Sequence, residues 1–239
     1  MAGWFWIIPF IPAASALVLF VLGAKLPRKY VAWQACGALL ASFVLSLFSV
    51  FGLTSMDPAR LPLFRHLFEW IRAGSLSSSF GLQFDSLSAV MALIVTGVGS
   101  LIHIYSVGYM ARDRSYSRYF GLLNLFVSGM LFLVLSSNLL FMFIGWEGVG
   151  LCSYLLIGFW FEKPAAAAAG QKAFLVNRVG DAAFILGAFF LVSRVGSGEF
   201  RAISQAVESG AFSQAGATLI ALLLFAGATG KSADRKSVV

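Results

Sequence analysis

A single carboxylate stands out in this chain because of its surroundings. Glu147 lies inside an otherwise uncharged stretch, residues 139–161, that is long enough to cross a bilayer as a helix. A charge at that depth costs on the order of 2.5–3.5 kcal/mol on insertion-based scales, and membrane proteins that keep one generally use it in a proton or ion pathway. The structural alternative is a protonated glutamate that hydrogen-bonds to a neighbouring helix. The segment favours the functional interpretation over this alternative.

Two opposite charges, Arg178 and Asp181, lie three residues apart in another apolar stretch. At this spacing two side chains share one face of a helix and can pair. If the helix begins near Gln171, a rise of 1.5 Å per residue puts Asp181 roughly 15 Å along it, close to the middle of a membrane. The sequence therefore predicts an intramembrane ion pair. A pair that only pins two helices together and a pair that can exchange partners are equally compatible with this spacing.

Lys231 ends the last apolar stretch of the chain. On a straight helix it would lie near the membrane surface, where the stem of a lysine packs on apolar groups and its ammonium reaches water. Gly227 and Gly230 just before it favour a different interpretation, because breaks in membrane helices are tolerated where they line a cavity. The segment 227–232 also looks like part of a phosphate-binding loop, but that pattern needs a glycine where Phe225 stands. We therefore exclude nucleotide binding here.

Asp85 and His103 are weaker candidates. Asp85 opens an apolar stretch, where a carboxylate suits the N-terminal dipole of a helix, and it is interpreted as structural. His103 lies near the end of the same stretch and is a candidate proton relay, although a lone histidine in such a place is more often a hydrogen-bonded or interfacial residue.

The composition places the chain in lipid. Of its 239 residues, 59% are hydrophobic and 11% are charged, and the mean hydropathy is +0.88. Soluble domains average about 25% charged residues. The net charge of +7 is then expected to reflect basic loops on the cytoplasmic side rather than nucleic-acid binding. Cys36 and Cys152 lie in apolar segments as packing residues, and no metal site or disulfide framework is expected.

Stretches of about 17–25 apolar residues predict membrane-spanning helices. Seven are found, which gives an all-α polytopic bundle. A short interfacial helix is predicted over 61–71 within the long loop 54–83, and an amphipathic surface helix over 200–209. The spans are placed at Trp4–Ala24, Tyr30–Leu53, Phe84–Met110, Tyr119–Leu135, Leu139–Phe161, Gln171–Val195 and Gln214–Lys231.

The basic residues of the loops predict the orientation. Alternation of the spans puts the first, third and fifth loops on one side of the membrane. The short-loop bias favours that side as cytoplasmic, with Met1 outside. The basic residues of these three loops are Lys25, Arg28, Lys29, Arg112, Arg114, Arg118 and Lys163.

Six blocks of this sequence resemble the antiporter-like subunit 5 (subunit L) of respiratory complex I. The longest is GWEGVGLCSYLLIGF at 145–159. The others are FDSLSAVM at 84–91, IHIYSVGYM at 102–110, YSRYF at 116–120, AFLVNRVGD at 173–181 and GATGKSA at 227–233. The related subunit of multisubunit sodium/proton antiporters shares these motifs and is the alternative.

The resemblance implies a proton-translocating membrane subunit of NADH:quinone oxidoreductase. Glu147 matches the key glutamate of the fifth helix, Lys231 the lysine of a broken seventh helix, and Arg178 and Asp181 the family's ion pair. The implied partners are protons, the lipid bilayer and other membrane subunits, in the bacterial inner membrane rather than the mitochondrial one. No cofactor is expected in this chain, since NADH, FMN, iron–sulfur clusters and quinone belong to partner subunits.

The resemblance also suggests a division of the chain. Residues 1–53 form a two-helix segment, 54–83 an extracytoplasmic loop, and 84–233 a proton-translocation core that is an incomplete inverted repeat. Asp234–Val239 departs from the family pattern and matches what a sequencing-library adapter encodes, so we expect a non-native tail on an N-terminal fragment.

Overall fold

The chain is largely helical in the structure, a computed structural model that describes residues 2–57, 61–73 and 76–232. In these residues seven helical segments are long and apolar enough to cross a membrane. The predicted all-α polytopic class with seven spans is confirmed. The predicted tail, Asp234–Val239, lies outside the described residues. The elements are a 3₁₀ helix, Ala2–Ile7, and the α-helices α1 Phe10–Leu22, α2 Arg28–Thr54, α3 Ser86–Tyr109, α4 Tyr116–Leu135, α5 Leu139–Ile157, α6 Pro164–Val195, α7 Phe200–Glu208 and α8 Gln214–Ser232.

The ends of α6 follow from local chemistry. The helix begins at Pro164 rather than near Gln171, because proline is favoured in the first helical turn and the alanines that follow it are the strongest helix formers. It ends at Val195, and the next residue, Gly196, has a left-handed φ of +74° that suits a glycine. The surface helix predicted over 200–209 is confirmed as α7, Phe200–Glu208.

The loop between α2 and α3 contains strands instead of the predicted helix over 61–71. Strands β1, Leu63–Ala73, and β2, Leu76–Phe84, pair in a two-stranded sheet. The helical prediction was wrong because a short run of clustered apolar residues fits the periodicity of a helix and that of a strand equally well. Phe64, Phe68 and Trp70 have the bulky aromatic side chains that favour strands. The ring of Phe68 stacks on that of Phe80 with centroids 4.9 Å apart, which stabilises the pairing of the two strands.

The chain divides into two compact units, and the first contains α1–α4 and the middle of α5, Ile144–Cys152. In this unit α1 packs on α4 and α2 on α3. Arg28 at the start of α2 donates to the backbone carbonyls of Ala111 and Asp113, and its Nη2 lies 2.9 Å from the second. The first and third loops are therefore at the same end of the unit, as the alternation of the spans predicts.

The second unit contains the two ends of α5 and helices α6–α8. Its most extensive helix packing is that of α6 against α8. The start of α5 is held by the segment before α7, since Leu139 N–H donates to Gly198 O at 2.8 Å and Phe200 N–H to Ser137 O at 3.1 Å. Asn138 caps α5 by accepting from the Phe141 N–H at 2.7 Å.

Candidate functional site

Glu147 lies at the middle of α5, in the part of that helix that belongs to the first unit. On either side of Glu147, glycines let α5 approach α4 closely. An ideal Cβ on Gly145 would be 2.6 Å from the backbone nitrogen of Leu133, and one on Gly129 would be 3.4 Å from the nitrogen of Val149. The Glu147 side chain is half-buried, and it interacts with another group of the protein. A carboxylate is thus fixed at mid-helix by close backbone packing.

Arg178 and Asp181 form the predicted ion pair within α6. Arg178 Nη1 lies 3.8 Å from Asp181 Oδ2. The two partners differ in surroundings, because the Asp181 side chain is only 3% exposed and that of Arg178 is 46% exposed. The guanidinium also lies over the ring of Phe174, 4.7 Å from its centroid, a cation–π contact. The pair therefore joins a deeply buried carboxylate to a cation that a competing charge can reach.

Lys231 lies where α6 and α8 come closest. An ideal Cβ on Gly230 would be 2.8 Å from the Cα of Gly180, and one on Gly227 would be 2.6 Å from the Cβ of Phe184. Only glycine allows backbones to approach so closely. Lys231 directly follows Gly230, and Asp181 directly follows Gly180. Asp181 of α6 and Lys231 of α8 therefore each lie one residue from this glycine contact, within one helical turn of each other along the helix axes.

The expected break in the helix before Lys231 is not found. Helix α8 runs without interruption through Gly227 and Gly230 to Ser232. Its glycines serve close packing against α6 instead of breaking the helix. Lys231 is half-buried in its last turn, where a cation also suits the C-terminal dipole.

His103 is fully buried on α3 of the first unit. Its Nδ1 lies 2.8 Å from the carbonyl oxygen of Gly99, and its ring centroid is 6.1 Å from that of Phe120 on α4. The sequence left a hydrogen-bonded histidine as an alternative, and this holds for Nδ1. The role of His103 as a proton relay stays a prediction.

Asp85 has the structural role that the sequence predicts, outside the spanning part of α3. Its Oδ1 accepts from the Ser88 N–H at 2.8 Å, while Ser88 Oγ accepts from the Asp85 N–H at 2.7 Å, a complete capping box. Partial burial raises the pKa of the Asp85 carboxyl, but hydrogen bonds from Ser88 and Gln83 outweigh it and lower the pKa below its usual range.

The structure assigns these residues to two groups. Glu147 and His103 belong to the first unit; Arg178, Asp181 and Lys231 belong to the second. Sequence reasoning missed the role of Gly180 as the counterpart of Gly227 and Gly230. Small residues at matching depth in two spanning stretches are the signal that could have found it.

Comparisons with known proteins agree with this architecture. Residues 70–120 match the family described as "NADH-Ubiquinone oxidoreductase (complex I), chain 5 N-terminus", and residues 136–235 match "NADH:quinone oxidoreductase/Mrp antiporter, TM". The chain is 45% identical over 232 residues to NADH-quinone oxidoreductase subunit L of Mycobacterium tuberculosis (strain CDC 1551 / Oshkosh), which covers 96% of this chain and 36% of the relative. It is 42% identical over 239 residues to the chloroplastic NAD(P)H-quinone oxidoreductase subunit 5 of Ipomoea purpurea, which covers 96% of this chain and 33% of the relative.

Solved structures show the same helical arrangement. A chain of the Mrp complex from Dietzia sp. DQ12-45-1b superposes with a TM-score of 0.79 at 26% identity, over 95% of this chain and 23% of that chain. A chain of an archaeal membrane-bound sulfane sulfur reductase superposes with a TM-score of 0.78 at 14% identity, over 94% of this chain and 44% of that one, which shows the fold alone. The chain belongs to the family of antiporter-like membrane subunits represented by subunit L, or 5, of NADH-quinone oxidoreductases. It spans about a third of the length of the curated relatives it matches.

Proposed function

We propose that the protein is a proton-translocating membrane subunit of an NADH:quinone oxidoreductase. The α6–α8 contact carries this proposal, because it places Lys231 at the level of the buried carboxylate Asp181. Intramembrane groups that can gain and lose protons are the usual components of proton pathways. In this proposal residues 84–233 form the translocation core, and Glu147 and Lys231 carry protons.

The ion pair supplies the switch in this mechanism. A lysine in a low-dielectric site releases its proton more readily when no opposite charge is near, and holds it when one is. If Asp181 leaves Arg178 for Lys231, the charged form of Lys231 is favoured; when Asp181 returns to Arg178, Lys231 releases its proton. When Asp181 leaves it, Arg178 keeps its cation–π contact with the Phe174 ring, 4.7 Å from the ring centroid.

The redox chemistry belongs to other subunits in this proposal. The chain would act as part of an enzyme without a redox centre of its own, while NADH, FMN, iron–sulfur clusters and quinone are handled by its partners. Those partners are the other membrane subunits of the complex, and the membrane is the bacterial inner membrane. Support comes from the relatives, whose names are those of quinone oxidoreductase subunits.

The second candidate is the related subunit of a multisubunit sodium/proton antiporter. The superposition on a chain of the Mrp complex favours it. The identity of 26% to that chain is well below the 45% to the subunit L relative, so we prefer the oxidoreductase. Expression of the full-length subunit together with its partner membrane subunits, in cells devoid of sodium/proton antiporters, decides between the two. Sodium-driven alkalinisation of everted vesicles, independent of NADH, would establish the antiporter.

Substitution of Lys231 in the full-length subunit tests the carrier role. We expect Lys231→Ala to abolish most proton translocation by the assembled complex in proteoliposomes. Lys231→Arg should fail as well, because arginine keeps its charge but does not deprotonate in proteins. The matched control is Lys172→Ala, since Lys172 is an exposed lysine of α6 and its loss should leave translocation unchanged. Wild-type translocation by the arginine variant would contradict the proposal.

A further inference from the structure

Three buried polar atoms of the first unit have no hydrogen-bond partner among the described residues. They are Ser15 Oγ on α1, His103 Nε2 on α3 and Asn124 Oδ1 on α4. Ser15 is 5% exposed, and His103 and Asn124 are fully buried. Buried polar atoms in folded proteins are nearly always satisfied, either by protein groups or by ordered water.

The contacts between α1 and α4 put Ser15 at the level of Asn124. The two helices run antiparallel, since Ser128 Oγ donates to Pro9 O at 2.9 Å at one end and Ser117 Oγ to Leu19 O at 3.0 Å at the other. Ser15 lies about midway between the two acceptors along α1, and Asn124 lies about midway between the two donors along α4.

The contacts between α3 and α4 put His103 at the same level. Ser106 Oγ is 3.2 Å from the Tyr119 hydroxyl, and an ideal Cβ on Gly99 would be 3.7 Å from Val127 Cγ2. His103 lies between Ser106 and Gly99, so its counterpart on α4 falls between Tyr119 and Val127.

Phe120 of α4 contacts both Asn124 and His103. Its carbonyl accepts from Asn124 Nδ2 at 3.1 Å, and its ring faces that of His103. The three unpartnered atoms therefore lie within about one helical turn of the same level, on α4 and on α1 and α3, which both pack on α4.

The hydrogen-bonding types of the three atoms are complementary to one water molecule. The Gly99 carbonyl can only accept, so His103 Nδ1 donates to it and Nε2 of the neutral ring is an acceptor. Asn124 Oδ1 is also an acceptor, and Ser15 has a hydroxyl proton to donate. A water that donates to the two acceptors and accepts from Ser15 satisfies all three, which is the usual coordination of a buried water.

We propose that Ser15, His103 and Asn124 hold an internal water and that His103 with this water is a proton-binding station. Within the first unit the site lies between the basic loops and Glu147. Asn124 is about two turns into α4 from the third loop, and the α5 segment around Glu147 packs on Gly129 and Leu133. At 1.5 Å per residue this level is roughly 10 Å further along α4.

The station moves a proton without net chemical change. A proton arriving on the water passes to His103 Nε2 and makes an imidazolium, while the Nδ1–H bond to Gly99 is kept. Loss of the same proton through the water restores the neutral ring and lets the proton continue toward Glu147. This relay role rests on the proposed proton-translocating function, whereas the water site itself does not.

The water site is tested by a high-resolution density map of the assembled wild-type complex. We expect a water within about 3.2 Å of Ser15 Oγ, His103 Nε2 and Asn124 Oδ1. A dry contact among the three residues, or a side chain from another part of the assembly between them, overturns the proposal. This result does not depend on any variant folding.

The relay is tested by proton translocation of variants in the full-length subunit. We expect His103→Leu to lower the translocation rate by roughly 10²-fold, as loss of a proton-transfer group does, and Asn124→Leu to lower it less. The control is Thr96→Val, because Thr96 is a fully buried α3 residue whose hydroxyl donates to Ala92 O at 2.6 Å. It should translocate normally.

Glu147→Gln in the same assay separates the two proposals. If Glu147→Gln loses translocation while His103→Leu keeps it, the relay is wrong and the proposed function stands. If Glu147→Gln translocates normally, the proposed function is wrong, and the density map still decides the water site.

Discussion

Two helix pairs in this protein bury polar groups in different ways. Between α3 and α4 of the first unit the polar side chains are neutral, and the hydroxyls of Thr96 and Ser100 donate to carbonyls one turn earlier in their own helix. Helix α6 of the second unit, which packs on α8, buries a charge, Asp181, and pairs it with Arg178. There, contacts of Gly180 and Gly230 bring the two backbones together.

The difference follows from the cost of burial. A buried hydroxyl is satisfied by its own helix, so its position does not depend on the neighbouring helix. A buried charge needs a partner in a defined place, because an uncompensated one is strongly destabilising. The α6–α8 pair should therefore be the more sensitive to substitution, and the α3–α4 pair the more tolerant except at His103 and Asn124.

The largest effect is expected from closing the glycine contact. In Gly230→Ala the new methyl group would be 2.8 Å from the Cα of Gly180, and because backbone cannot yield as a side chain does, α6 and α8 must separate. Overpacking of this kind costs about 1–3 kcal/mol. The Tm of the purified complex and its yield should fall. A variant with unchanged Tm and unchanged translocation would show that the close approach is not required.

Removal of the buried charge should affect translocation more than stability. Asp181→Asn keeps the shape of the side chain but ends the ion pair with Arg178, which keeps its cation–π contact with Phe174. We expect normal assembly and a fall of at least about tenfold in translocation, equivalent to about 1.4 kcal/mol. Glu208→Gln, at an exposed carboxylate of α7, is the control. Equal losses in both variants would argue against a specific role for Asp181.

Length and apolar composition were enough to predict the spans, because only helices of about 20 apolar residues satisfy their backbone in lipid. The spacing of Arg178 and Asp181 was enough to predict their pair. The strands β1 and β2 were missed, since a short apolar run such as 61–71 fits either period.

The contacts between helices could not be predicted from the sequence, for a different reason. Gly227 and Gly230 were expected to break α8, yet they pack against Gly180 and Phe184, and one sequence does not show which helix faces a glycine. Asn124 was overlooked because it is uncharged and a single sequence does not show that only its amide nitrogen is satisfied by its own helix. The signal was present, as a polar residue at mid-span is a candidate for function.

The cap of α3 should give a smaller effect that depends on pH. Asp85→Ala removes the hydrogen bond to the Ser88 N–H and should destabilise the protein by about 1 kcal/mol at neutral pH. The pKa of Asp85 is lowered in the folded state, so its contribution is present above the unfolded value of about 3.9 and is lost as the pH falls through the folded value. Thermal unfolding of wild type and variant should therefore differ at pH 7 and converge in strong acid. A difference that persists at all pH values would show that the charge is not involved.

The smallest effect is expected at a glycine with open space around it. An ideal Cβ on Gly37 of α2 meets no atom within 4 Å, so Gly37→Ala should be neutral or should stabilise the helix by up to about 1 kcal/mol. Comparison of Gly37→Ala with Gly230→Ala shows whether the loss of Tm comes from the helix contact or from the change of glycine to alanine itself. A loss of Tm in Gly37→Ala as large as that in Gly230→Ala would remove the distinction.

The central claim is that intramembrane charges of this subunit carry protons, and Glu147→Gln tests it most directly. The measurement is the number of protons translocated per NADH oxidised by the complex in proteoliposomes, with the full-length subunit carrying this one change. The substitution keeps size and hydrogen bonding but cannot bind or release a proton. We predict a fully assembled complex with a clearly lowered proton-to-NADH ratio. An assembled complex with the wild-type ratio would contradict the account and make Glu147 a structural link between helices.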